Sequence, residues 1–526
     1  MTGTPWLTIL GITPLVGALL IALVPKGRDE LVKQVALGTS LVVLGMTIAM
    51  CAAFEPAGER FQFVQEHDWI ATFGVQYAVG ADGIALVLIA LVAVLVPVVL
   101  LASWDDADPT PNDDGSASPR KRSVKTFFAL LLILETMMIG VFAATDVFLF
   151  YVFFEAMLIP MYFLIGQYGG PQRSYAAVKF LLYSLVGGLL MLASVIGLYV
   201  VSADQGEGTF NFTALTQLEM STPLQIALFL GFFVAFAIKA PLWPFHTWLP
   251  DAGAEAPVGG AVLLVGILDK VGTFGFLRYC LPLFPDAARE LGPYIIALCV
   301  IGVLYGALLA MGQTDLKRLV SYTSVAHFGF IGLGCFAFTS QAGTGAVLYM
   351  VNHGLSTGAL FLVVGFLIAR GRSRNKEHYS GVASITPVLG GLFFVAGLSS
   401  LALPGLSTFI SEFLVLVGTF TTYPVAAVLA TLGIILAALY ILLAYQKTMQ
   451  GPLELPPGIV AEKVKDLRFR EVAAVAPLIA MMIFLGFYPK PLTDVITPAV
   501  NATLQQDVGV EDPAPTDAAP VATESK

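Results

Sequence analysis

Fourteen apolar runs of membrane-spanning length follow one another along this chain of 526 residues. A helix needs about 20 apolar residues to cross the hydrocarbon core. In lipid every backbone polar group must find a partner inside the protein, which leaves helices as the economical solution. The runs centre near Val16, Val42, Ala93, Leu134, Leu158, Met191, Val234, Val265, Ile301, Phe330, Met350, Ala402, Ile435 and Ile479. Only 12% of residues are charged and 57% are hydrophobic, against about 25% charged in a soluble domain. The expected fold is an all-α polytopic membrane protein.

Charge sets the expected orientation. Alternate loops collect Lys26 to Lys33, Arg120 to Lys125, Arg173 and Lys179, Lys317 and Arg318, Arg370 to Lys376, and Lys447 to Arg470. The opposite side holds Arg60, Arg278, Arg289, Lys490 and Lys526. Positive charge favours the cytoplasmic side, so both termini are expected outside a bacterial inner membrane. The segment 105–122, rich in Asp, Pro and Ser, is expected as a cytoplasmic loop. The acidic stretch from Asp507 is expected to be disordered.

Two runs are interrupted by proline next to an ionisable residue. One contains Lys239-Ala-Pro-Leu-Trp-Pro; the other contains Ala402-Leu-Pro-Gly-Leu-Ser-Thr, with Glu412 two turns on. Proline removes an amide donor and clashes with the preceding turn. The breaks fall in the seventh and twelfth helices. Interrupted helices in corresponding positions point to repeats with inverted topology. The expected division is 1–124 (three helices and a loop), 125–281 and 291–447 (two inverted five-helix repeats), 448–490 (a loop and the last helix), and 491–526 (an acidic disordered tail).

Charges inside the apolar runs are the candidate functional groups, because each costs at least about 2.5–3.5 kcal/mol at the bilayer centre. Glu155 lies about nine residues from either end of its run, roughly 13 Å of helix rise. Lys239 is its natural partner. Lys270 follows Pro257 by thirteen residues, and burial disfavours its charged form, so it is suited to giving up a proton. The adjacent Asp269 is expected to point elsewhere, since neighbouring helix positions do not face each other. His327 and His353 are suited to relaying protons near neutral pH. Glu412 is a candidate exit group, and Glu135 is a further intramembrane acid suited to a helix contact or a supporting role.

Other chemistries lack their residues. Cys51, Cys280, Cys299 and Cys335 are scattered and read as inert buried thiols. No phosphate-binding GxxxxGK[ST] loop and no metal-ligand spacing occurs. No cofactor is expected on this chain.

The segments LFYVFFEAMLIPMYFLIGQYGG, KAPLWPFHTWLPDAGAEAPVGGAVLL and DLKRLVSYTSVAHFGF resemble the antiporter-like subunits of proton-pumping NADH:quinone oxidoreductase, respiratory complex I. Related chains occur in multisubunit sodium/proton antiporters, the alternative assignment. The resemblance runs at least from Ala81 to Lys447. It implies the fourteen-helix fold with inverted repeats. It also implies a proton relay through Glu155, Lys239, Lys270, His327, His353 and Glu412, driven by NADH oxidation and quinone reduction elsewhere. The implied partners are the other membrane-arm subunits, including the L-type and N-type chains, with FMN, iron–sulfur clusters and quinone in partner subunits. A glutamate at the Glu412 position marks the M type, the mitochondrial subunit 4 type. One departure stands out: the family's DAHTEAP reads Asp251-Ala-Gly-Ala-Glu-Ala-Pro257 here, so a role for its histidine does not carry over to Gly253.

Overall fold

The computed structural model describes residues 4–107 and 123–512; most of the 105–122 loop and the chain beyond Asp512 lie outside them. Among the described residues thirteen helices are long and apolar enough to cross a membrane. They are Trp6–Leu23, Asp29–Ala53, Gly83–Ala102, Val124–Ala143, Val147–Tyr168, Arg173–Gln205, Thr222–Lys239, Val258–Leu283, Pro285–Gly312, Leu316–Phe336, Ser340–Gly371, Pro424–Met449 and Phe469–Phe487. The remaining expected helix, the twelfth, is present as two shorter pieces, Pro387–Ser400 and Ser407–Phe420. Every expected centre except Ala402 falls within one of the thirteen, and Ala402 falls in the break between the pieces.

The eighth, tenth and eleventh helices are almost wholly buried, whereas the first, second, thirteenth and fourteenth present most of their surface outward. The tenth helix packs on the ninth and eleventh, and the eleventh on both halves of the twelfth. A helix surrounded in this way is screened from lipid, so polar side chains on it face other protein groups. The candidate Lys270, His327 and His353 all sit on these three central helices.

The breaks follow from local chemistry. The seventh helix ends at Lys239, and Ala240–Thr247 turns through Pro241 and Pro244 before a short helix, Trp248–Glu255. The indole of Trp248 donates to the carbonyl of Ile238 at 2.8 Å, supplying a partner for an acceptor at the interrupted helix end. In the twelfth helix Ala402 takes φ 57° and Gly405 φ 93°. Thr408 Oγ1 donates to the carbonyl of Ser399 across the gap.

Three features differ from expectation. Strands Gln62–Ile70 and Val75–Ala81 form an antiparallel pair between the second and third helices. The turn between them uses Gly74 at φ 62°, a backbone region glycine adopts without steric cost. Second, the tail boundary at 491 is corrected. Lys490–Asn501 is helical, and Ala502–Asp507 continues it as a π-helix. Arg60 grips Asp507 through two bonds of 3.0 and 2.7 Å, and Asp512 accepts the Ser340 amide at 2.7 Å. Composition gave a disordered reading because it could not register these distant partners. Cys51 is also corrected, being exposed rather than buried; the other three thiols are buried.

The charged loops sort into two groups. Arg318 and Lys179 share Asp251, at 2.5 and 2.7 Å. Arg370 pairs with Glu471, Arg470 with Asp105, and Lys447 with Glu377. At the other end Arg60 meets Asp507. No ion pair among the described residues joins one group to the other.

Candidate functional site

Glu155 owes its setting to Pro160. Proline lacks an amide and crowds the carbonyl four residues back, which here is Ala156. The fifth helix accordingly turns at Met157, between Val147–Ala156 and Leu158–Tyr168. Glu155 is half-buried, and its Oε1 has no hydrogen-bond partner. Its carboxylate lies against Gly188 of the sixth helix, where a Cβ would overlap Oε1.

Lys239 occupies the last turn of the seventh helix, where the carbonyl end of the dipole favours a cation. It is 1% exposed, and its ammonium makes no hydrogen bond. The ammonium lies 4.9 Å from the Phe154 ring centroid and 5.7 Å from that of Phe180. Aromatic faces attract cations, so the two rings partly replace water around it. Glu155 and Lys239 act on one another through the Coulomb field but make no ion pair. Lys239 is thus an electrostatic partner of Glu155 without direct contact. Asp269 on the eighth helix also acts on Lys239.

Lys270 is fully buried with three partners. Its Nζ lies 3.1 Å from Asp269 Oδ1, 2.5 Å from the Val265 carbonyl and 2.6 Å from His353 Nδ1. Asp269 therefore does not point away, contrary to the sequence expectation. The preceding residues, Leu264–Leu268, form a π-helical turn. That turn departs from regular α-helical spacing, and the flexible lysine folds back over it to reach Val265.

His353 brings in the next groups. Its ring centroid is 5.2 Å from that of His327, and His327 is 5.8 Å from Tyr349. Both ring nitrogens of His327 and Nε2 of His353 lack protein partners. Tyr349 OH donates to Glu412 Oε1. Asn352 holds the second half of the twelfth helix through the Ser407 carbonyl at 2.7 Å and Ser411 Oγ at 3.3 Å. Lys270, His353, His327, Tyr349 and Glu412 thus form one buried polar line through the eighth, tenth, eleventh and twelfth helices. Glu135 stands apart: it is fully buried and neither carboxyl oxygen has a partner.

Tyr349 and Gly188 have no place in the sequence reading. A signal for Tyr349 was present, since it precedes His353 by four residues and so shares its helix face. Gly253 lies within the short helix Trp248–Glu255, and a Cβ there would stand 2.4 Å from Ser321 Oγ. A larger side chain at that position needs Ser321 to move.

The family described as "NADH:quinone oxidoreductase/Mrp antiporter, TM" matches residues 144–437. NADH-quinone oxidoreductase subunit M of Mycobacterium tuberculosis is 50% identical over 546 residues, covering 99% of this chain and 98% of that one. Subunit M of Rhodobacter capsulatus is 37% identical over 519 residues, covering 95% and 96%. Among solved structures, a chain of respiratory complex I from Thermus thermophilus with bound NADH superposes with a TM-score of 0.84 at 30% identity, covering 95% of this chain and 99% of that one. A chain of the Mrp complex from Dietzia sp. DQ12-45-1b reaches 0.80 at 19% identity, covering 97% and 99%, which shows a shared fold alone. The chain belongs to the NADH:quinone oxidoreductase/Mrp antiporter transmembrane family, in its subunit M branch.

Proposed function

We propose that this chain is a proton-translocating membrane-arm subunit of an NADH:quinone oxidoreductase, with its relay running through Glu155, Lys239, Lys270, His353, His327 and Glu412. The observation that carries this reading is the buried polar line from Lys270 to Glu412, with Lys239 and Glu155 coupled to it through Asp269 and the Coulomb field. A purely structural core has little use for so many buried groups without hydrogen bonds, because each costs free energy to desolvate. Groups that change charge by gaining or losing a proton make that expense functional.

In this reading the redox reaction takes place in partner subunits that carry FMN, iron–sulfur clusters and quinone. Its perturbation of Glu155 changes the field at Lys239. The lysine's proton moves towards Lys270, then through the two histidines to Glu412 and out. The L-type and N-type chains are proposed neighbours. The two broken helices are proposed as corresponding members of inverted repeats at 125–281 and 291–447. Both termini are proposed to face outward from a bacterial inner membrane, because the larger cluster of basic loops lies at the other end.

The test is Glu155→Gln and Lys239→Ala in the assembled complex. Both variants are expected to abolish proton pumping with assembly normal. Pumping at the unmodified rate in either variant removes the relay. Flavin and iron–sulfur subunits are expected to co-purify with the chain in mild detergent; their absence would instead favour a cation/proton exchanger.

A further inference from the structure

The polar line is joined at both ends and open at its centre. Lys270 Nζ and His353 Nδ1 are in contact at 2.6 Å, and Tyr349 OH is bonded to Glu412. His327 lies between them without a protein partner on either ring nitrogen. Tyr349 and His353 are one turn apart on the eleventh helix, and both rings approach His327 of the tenth, at 5.8 and 5.2 Å. The Tyr349 side chain is fully buried. Its hydroxyl occupies Glu412 Oε1, and no other protein hydrogen bond to the Glu412 carboxylate is present among the described residues. Tyr440 of the thirteenth helix lies within coulombic reach of the same carboxylate, but its hydroxyl has no hydrogen-bond partner.

We infer that Tyr349 is a relay residue, its hydroxyl carrying the proton between His327 and Glu412. The inference rests on the relay reading above. A protonated His327 turns one N–H towards the Tyr349 oxygen. That oxygen takes the histidine proton as its own proton passes to the Glu412 carboxylate. One N–H and one O–H bond break, and two O–H bonds form, at Tyr349 and at Glu412. The phenol is neutral before and after, and no electrons change hands. The hydroxyl then rotates back before the next proton. No contact of full hydrogen-bond geometry holds either His327 ring nitrogen, although the Ser400 backbone lies beside the ring. A phenylalanine would fill the same space without a transferable proton.

The experiment compares Tyr349→Phe with Glu412→Gln in the purified, assembled complex. Proton pumping into vesicles and infrared difference spectra of the carboxyl region are the two readouts. A positioned proton carrier is worth about 10²–10⁴-fold in rate, so pumping in Tyr349→Phe is expected to fall by about a hundredfold or more. The carboxyl band assigned to Glu412, by its loss in Glu412→Gln, is expected to shift to higher frequency in Tyr349→Phe as its donor disappears. Unmodified pumping in Tyr349→Phe alongside a dead Glu412→Gln overturns the tyrosine step alone. Unmodified pumping in both overturns the relay itself. If Tyr349→Phe fails to assemble, difluorotyrosine at position 349 keeps the shape while making the hydroxyl more acidic. A changed transfer rate then supports the step, and an unchanged rate overturns it.

Discussion

The Lys270 ammonium lies 2.6 Å from Nδ1 of His353, a residue 83 positions further along the chain. The ammonium form of lysine has only donors to offer, so while Lys270 is charged Nδ1 accepts and the proton of neutral His353 resides on Nε2. Charged Lys270 therefore selects the tautomer of the histidine that follows it in the relay, and release of its proton lifts that restriction. Lys270→Met is expected to abolish pumping while the complex still assembles. A flow-cell measurement of proton uptake against NADH oxidation checks this, and retained pumping points to a scaffold role.

Asp269 and Lys270 form a pair with both side chains fully buried, 3.1 Å apart. Removing one member of such a pair leaves the other charge uncompensated, at about 3–5 kcal/mol. Asp269→Asn is expected to lower the thermal stability of the complex by an amount in that range. The double variant Asp269→Asn with Lys270→Met is expected to recover most of it. Recovery measured by thermal unfolding separates the pair's structural share from its role in pumping.

Gly188 makes room for Glu155, whose Oε1 occupies the place a Cβ would take. Gly188→Ala is expected to displace the carboxylate and reduce pumping strongly with little change in assembly. Gly38→Ala is the control, because nothing lies within 4 Å of a Cβ there. Equal pumping in the two variants would show that the position of the Glu155 carboxylate does not matter.

A second buried ion pair has no relay role in this scheme. Arg278 and Asp82 meet at 2.6 Å, and the Asp82 carboxylate also accepts the Ala85 amide at the start of the third helix. The guanidinium lies 4.8 Å from the Phe61 ring centroid and 5.2 Å from that of Phe274. Arg278→Met is expected to destabilise the chain by about 3–5 kcal/mol. Whatever complex survives is expected to pump at the normal rate per molecule. A loss of pumping in fully assembled complex would place Arg278 in the proton path.

Outside the spanning helices, burial pushes the Asp106 carboxyl from its ordinary value up to about 6. The unfolded chain gives up this proton near pH 3.8, before the folded one does. Stability from this group is therefore lost as pH rises from about 4 to about 6, and the penalty is constant above that. Asp106→Asn is expected to be more stable than the parent at neutral pH and equally stable near pH 4. Thermal unfolding at the two pH values checks the sign.

Much of the architecture was legible from local pattern. Apolar length placed the helices, and Pro241 and Pro404 marked the two breaks, because both signals act over a few residues. The fifth-helix turn at Met157 was equally local, with Pro160 in plain view, yet it passed unnoticed inside a continuous apolar run. The strand pair at 62–81 was not foreseen, since its residues lie between strong helical runs. The helix beyond Lys490 was hidden for a different reason: its anchor, Arg60, lies more than four hundred residues away.

Along the candidate site, local pattern identifies which residues bear ionisable groups inside apolar runs, because hydrocarbon makes each such group costly and therefore visible. Which of those groups meet follows from the three-dimensional packing of the helices. It put Lys270 on Asp269 and His353, set Lys239 against aromatic faces instead of against Glu155, and brought Tyr349 to Glu412. Those contacts depend on helix rotation, on the π-helical turn before Asp269 and on packing between helices remote in sequence. A relay is defined by distances of a few ångströms between side chains, and neighbouring sequence positions carry no record of them.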